Sequence, residues 1–193
     1  MACLPRGRFA GVRGLRALPL VIALVLGVGL TAPASATTVV ALDDASLAQR
    51  ASLVVVATVA AVDASAHDVP PGVFTDVTLV VERVVGLDVE VPDDLVVRMP
   101  GGRIDDRAIH VPGMPGFVVG ETVLVFLEPQ PDVFDDSQTW IPVGLEQGVW
   151  RPVGVGMWQR TTGDVHHVGA VTPTPDPLDL AAIESMVNAV EAP

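Results

Sequence analysis

Residues 73–86, VFTDVTLVVERVVG, alternate along an extended chain. Val73, Thr75, Val77, Leu79 and Val81 fall on one side, and Asp76, Thr78 and Glu82 on the other. A period of two cannot be laid on a helix, so this segment predicts a long strand with one covered and one solvated face. Just upstream, residues 52–64, SLVVVATVAAVDA, are β-branched and apolar on both alternating faces. Such a strand is covered on both sides. The two pair as a hairpin across residues 65–72, where Pro70, Pro71 and Gly72 stop regular structure.

The same pattern recurs downstream. LVVRM (95–99) follows the turn VPDD, and TVLVFLEP (122–129) is apolar on both faces. Two short strands, TWIPVG and GVWRPVGV, flank LEQG. GMWQRTTGDVHHVG (156–169) predicts a last hairpin with Thr162, Gly163 and Asp164 near its tip. A helix is expected at each end. Residues 42–51 can be capped by Asp43 or Asp44. Residues 178–190 follow Asp176 and Pro177, an N-cap and first-turn pair. There Leu178, Ala182, Ile183, Met186, Val187 and Val190 share one stripe, which should lie on the body. Five to seven antiparallel strands without a parallel crossover pattern predict a small closed or partly closed barrel.

The first residues stand apart from this pattern. Arg6, Arg8, Arg13 and Arg16 precede an apolar run of 14 residues, 17–30, and Ala34-Ser35-Ala36 fits a small-x-small cleavage site. Residues 1–36 therefore read as a secretory signal cut after Ala36, leaving one domain over residues 37–193. The apolar run is short for a membrane span, so no span is expected after cleavage. The expected location is periplasmic or secreted. Cys3, the only cysteine, leaves with the signal. An exported domain of this kind rests on its core, without disulfides.

Charge and composition exclude whole classes of chemistry. Lysine is absent, and seven arginines remain beyond residue 36 against 23 acids, a balance of −16. Such a surface repels phosphate backbones, so no nucleic-acid partner is expected. Zero lysine removes the phosphate-loop lysine and Schiff-base catalysis. Zero cysteine beyond the signal removes thiol catalysis and thiolate zinc sites. No Gly-x-Ser-x-Gly elbow occurs. Only Asp, Glu, His and Arg could run an enzyme here.

Residues 99–117, MPGGRIDDRAIHVPGMPGF, lie between two strands. Gly101-Gly102 lacks the further glycines of a phosphate loop, and it suits a chain leaving a strand at positive φ. His110 with Asp105 or Asp106 could form a base and its orienter. The alternative is a long connection, with Arg103, Arg107 and His110 offered to a ligand. Asp132, Asp135 and Asp136 could supply oxygens to a cation, and His166 with His167 could supply imidazoles. Adjacent strand residues point to opposite faces, however, and the acidic loop does not follow the EF-hand spacing. Solvated turns are the expected reading, with no metal and no cofactor.

Taken in order, "ASLVVVATVAAV", "FTDVTLVVERVVG", "VRMPGG", "VPGMPGFVVGETVLVFLEP" and "VGLEQGVWRP" resemble a group of uncharacterised secreted bacterial proteins. The resemblance covers about residues 42–152, and Val85 stands where that group carries lysine. More distantly, the layout is similar to the OB-fold domain of netrin-like modules and metalloproteinase inhibitors. This implies a mainly β chain: a small antiparallel OB-like β-barrel with a short N-terminal helix and a C-terminal amphipathic helix. Those inhibitors act through an N-terminal cysteine, which is lacking here. The function expected is an exported, monomeric, non-catalytic binding or accessory module for a protein or small molecule. The alternatives are a metal- or acid/base-dependent hydrolase built on His110 and nearby acids, and a protease-inhibitor-like OB module.

Overall fold

Alternation becomes pairing in the folded chain. A computed structural model describes residues 38–68, 71–86, 89–131, 134, 137–161, 166–168 and 176–191. They fall in one compact unit, Ala36–Pro193; the expected signal, residues 1–36, lies outside the described residues. Strand β1 (Thr38–Val40) leads to helix α1 (Asp44–Arg50). The N-cap Asp43 accepts a hydrogen bond from the Ser46 amide at 2.7 Å. Two long strands follow, β2 (Leu53–Asp68) and β3 (Pro71–Val84), then β4 (Asp94–Pro100). A small hairpin, β5 (Gly102–Ile104) and β6 (Arg107–Ile109), precedes β7 (Thr122–Pro131) and β8 (Gln138–Pro142). A 3-10 turn, Leu145–Gly148, opens β9 (Val149–Pro152) and β10 (Met157–Arg160). Strands β11 (His166–Val168) and β12 (Leu178–Asp179) and helix α2 (Leu180–Glu191) complete the chain.

The fold is mainly β, largely antiparallel, with a helix near each end, as the alternation predicts. β2 pairs with β3 on one edge and with β7 on the other, and β3 pairs with β4. β8 pairs antiparallel with β7 and parallel with β4. The order β7-β2-β3-β4-β8-β7 thus returns on itself. Its last seam is one residue pair, Val97 with Trp140, so the curled sheet is not cleanly closed. β9, β10 and β12 extend the sheet outward from β7.

Two cores follow from the two faces of β2 and β7. Inside the curl lie Val55, Ala57, Val59, Val77, Leu79, Val97, Met99, Val123 and Val125. Behind it, Val54, Val56, Leu124 and Phe126 pack against Leu47 of α1, Ile183 and Val187 of α2, and Trp150 and Trp158. Burial of both faces over Leu53–Ala57 explains why that run reads apolar throughout.

Several expectations are corrected. The first hairpin extends to Asp68 and resumes at Pro71, so most of the expected turn is strand. Among the described residues, β10 and β11 do not pair as the expected hairpin over 156–169: β10 has β9 and β12 on its two edges, and β11 pairs in parallel with β1; Thr162, Gly163 and Asp164 lie outside the described residues. The last helix starts at Leu180, where the Asp179 carboxylate, not Asp176, accepts the Ala182 amide at 2.7 Å. Of its expected stripe, Ile183 and Val187 are buried, Met186 is half-buried, and Ala182 and Val190 are exposed.

Candidate functional site

A β-bulge decides where the cavity lies. Val59 faces Leu79 across the β2–β3 ladder, but the next pair is Ala61 with Thr78, leaving Ala60 as the extra residue. The parity of β2 therefore switches, and Val62 and Ala64 join the concave face opposite Val77 and Thr75. Strict alternation from Val59 would have put Asp63 there.

These four residues and Met99 line one side of a cavity of about 580 Å³ at an open end of the curled sheet. Val77 and Met99 also belong to the inner core, so the cavity continues the interior outward. Its other side is the loop after β4: Pro100 to Arg103, Ala108 to Val111, and Met114 to Phe117. Met114 and Phe117 rest against the inner core.

The local sequence dictates that loop. Gly101 and Gly102 have φ of 97° and 141°, a region that L side chains avoid. A Cβ on Gly102 would lie 2.3 Å from the Thr75 hydroxyl oxygen. That hydroxyl donates to the Gly101 carbonyl at 2.8 Å, and the Gly101 amide donates to the Val73 carbonyl at 2.7 Å. The far half of the loop is pinned from below. Arg151 donates to the Gly116 carbonyl at 2.6 Å, to the Glu121 carboxylate at 3.1 Å and to the Thr161 hydroxyl at 2.6 Å. The Glu146 amide donates to the Gly113 carbonyl at 2.9 Å. One wall is therefore held in place, while the β5–β6 hairpin stands exposed at the rim.

The residues singled out on the loop after β4 all lie among the described residues. Arg103 and His110 are exposed and line the cavity. Arg103 faces Ala108 across the β5–β6 ladder, and Ile104 faces Arg107, so Arg107 occupies the hairpin's other side. Asp105, at φ 52°, and Asp106 form its exposed turn. Among the described residues, no hydrogen bond joins His110 to Asp105 or Asp106, and none of the five residues is in an ion pair. Asp132, Asp135 and Asp136 lie outside the described residues. His166 and His167 pair through the backbone with Thr38 and Val39, and their side chains lie outside the description. Among the described residues, no group of three or more His, Cys, Asp or Glu is placed to hold a metal.

Sequence reasoning placed Thr75 on the face of Val77 but missed the β2 contribution, Val62 and Ala64; the one signal for the bulge that turns them inward is Asp63, which strict alternation would bury. It also missed two buried polar side chains that fasten residues 40–44. Gln147 accepts from the Leu42 amide at 2.8 Å and donates to the Val40 carbonyl at 3.0 Å. Arg160, almost fully buried, donates to the Leu42 carbonyl at 2.7 Å, pairs with Asp44 and lies over the Trp150 ring. Burial pulls the Arg160 guanidinium below its usual value, against the pull of Asp44. Burial pushes the Asp44 carboxyl up, and Arg160 only partly offsets this.

No family model, curated protein or solved structure matches the chain.

Proposed function

We propose that the chain is an exported, non-catalytic binding module built on an OB-like barrel, and that the cavity at its open end takes an apolar ligand. The five-strand ring with one weak parallel seam supports the OB-like reading, a partly open barrel whose faces and end loops bind ligands. Export rests on the basic, apolar and small-residue pattern of residues 1–36. One observation carries the functional reading: a cavity of about 580 Å³ with an apolar floor, roofed by a partly pinned loop, within the size range of small-molecule sites. A hydrolase would need His110 oriented by an acid, and it has no such partner among the described residues. The non-catalytic reading is therefore preferred.

The test is fluorescence titration with the neutral apolar dye N-phenylnaphthylamine. Saturable binding at one dye per chain is expected. Two variants should abolish it: Ala108→Trp, which crowds the cavity from an exposed position, and Val62→Glu, which puts charge on the floor at a site 37% exposed. Melting temperatures should stay close to that of the parent. Absence of saturable binding, or binding untouched in both folded variants, would overturn the proposal.

A further inference from the structure

The residues that line the cavity differ in charge from the rest of the molecule. Of the seven arginines beyond residue 36, five pair with a carboxylate: Arg50 with Glu128, Arg83 with Glu184, Arg98 with Asp76, Arg151 with Glu121 and Arg160 with Asp44. Arg103 and Arg107, both on the β5–β6 hairpin, are in no ion pair among the described residues. With 23 acids against seven arginines, an unpaired guanidinium is unexpected by supply alone. The ladder register sets Arg103 beside Ala108, and both line the cavity. No Asp or Glu is among the lining residues; the ionisable ones are Arg103 and His110. The floor offers Val62, Val77 and Met99, and the pinned wall adds Met114 and Phe117.

We infer that the cavity selects a small amphiphile with an aliphatic body and a carboxylate head, the head held by Arg103 at the rim. This rests on the binding reading above and adds the ligand class. The apolar floor gives the aliphatic body surface to bury, and each buried methylene contributes roughly 0.8 kcal/mol at full burial. The guanidinium presents a planar fork that fits a carboxylate with two hydrogen bonds, and no protein carboxylate competes for it among the described residues. Asp105 and Asp106, at the turn of the same hairpin, are not among the residues lining the cavity, so the lining, unlike the acidic surface elsewhere, tolerates such a head group.

Isothermal titration of the full chain with dodecanoate, dodecanol and dodecylamine, each below its micelle concentration, tests this. Dodecanoate should bind one per chain and about tenfold more tightly than dodecanol, with dodecylamine weakest. Arg103→Gln should remove most of the dodecanoate advantage and leave dodecanol unchanged, whereas Arg83→Gln, an exposed arginine remote from the cavity, should change neither. Equal affinity for dodecanoate and dodecanol, or an Arg103→Gln variant that keeps the preference, overturns the carboxylate assignment while leaving the apolar cavity standing. Failure of all three amphiphiles to bind a folded chain overturns both readings.

Discussion

At the scale of single residues, two of the four buried polar side chains among the described residues hold residues 40–44 in place. Gln147 satisfies the Leu42 amide and the Val40 carbonyl, and Arg160 with Asp44 holds the next turn. A buried ion pair is weak evidence of net stabilisation, yet breaking it leaves a charge without a partner. Asp44→Leu should therefore cost roughly 2–3 kcal/mol in urea unfolding, reduced from the fully buried case because Asp44 keeps partial solvent contact. The double variant Asp44→Leu with Arg160→Met should regain most of that loss. The two adjacent acids respond to pH with opposite signs. Hydrogen bonding from Ser46 lowers the Asp43 carboxyl, so its stabilising contribution is present above the ordinary carboxylate value and is lost as pH falls through the lowered one. The raised Asp44 carboxyl takes up a proton earlier in the folded chain than in the unfolded one, so its contribution improves on acidification. Asp43→Asn, which keeps an accepting oxygen, should flatten the acid limb of a stability–pH curve, and Asp44→Asn should steepen it. The glycines are equally specific. Gly148 has the Val143 carbonyl oxygen 2.4 Å from where a Cβ would sit, and Gly102 combines a close Thr75 with positive φ. Gly102→Ala should cost about 1–3 kcal/mol in the same assay.

At the scale of elements, what the sequence discloses depends on whether period alone settles the question. The β3 alternation identified its covered face correctly, with Val77 and Leu79 buried. The two-faced run of β2 is equally legible, because helices lie behind it and the interior of the curled sheet in front. The bulge at Ala60 is less legible: residues 59–62 are apolar on either parity, and Asp63, which strict alternation from Val59 would turn inward, shows that the ladder slips but not at which residue. The β3 part of the cavity floor, Thr75 and Val77, is thus legible and the β2 part, Val62 and Ala64, is not, although the roof, residues 100–116, stands out through its glycines, prolines and charges. Partnering also escaped periodicity: β11 joins β1, distant in sequence, because the edges of β10 are taken. Helix α2 permits a direct check of its docked stripe. Ile183 is fully buried and Val190 is 40% exposed. Ile183→Ala should cost roughly 2–4 kcal/mol, and Val190→Ala less than about 0.5 kcal/mol. Similar costs at both positions would mean that the helix packs on another face.

At the scale of the whole molecule, a curled sheet with helices on one flank leaves an end of its interior uncovered. The loop from Pro100 to Phe117 roofs that end without filling it. On the proposed reading, the inner and rear cores hold the fold, and the mouth, which shares Val77 and Met99 with the inner core, takes the ligand. Four methionines report on this division. Met99 and Met114 line the cavity, whereas Met157 lies in β10 and Met186 packs against the rear core. Methyl-labelled methionine spectra recorded during titration with N-phenylnaphthylamine should show Met99 and Met114 shifting together to saturation while Met157 and Met186 stay fixed. Movement of Met157 or Met186 with Met99 and Met114 unmoved would place the ligand elsewhere and contradict the account.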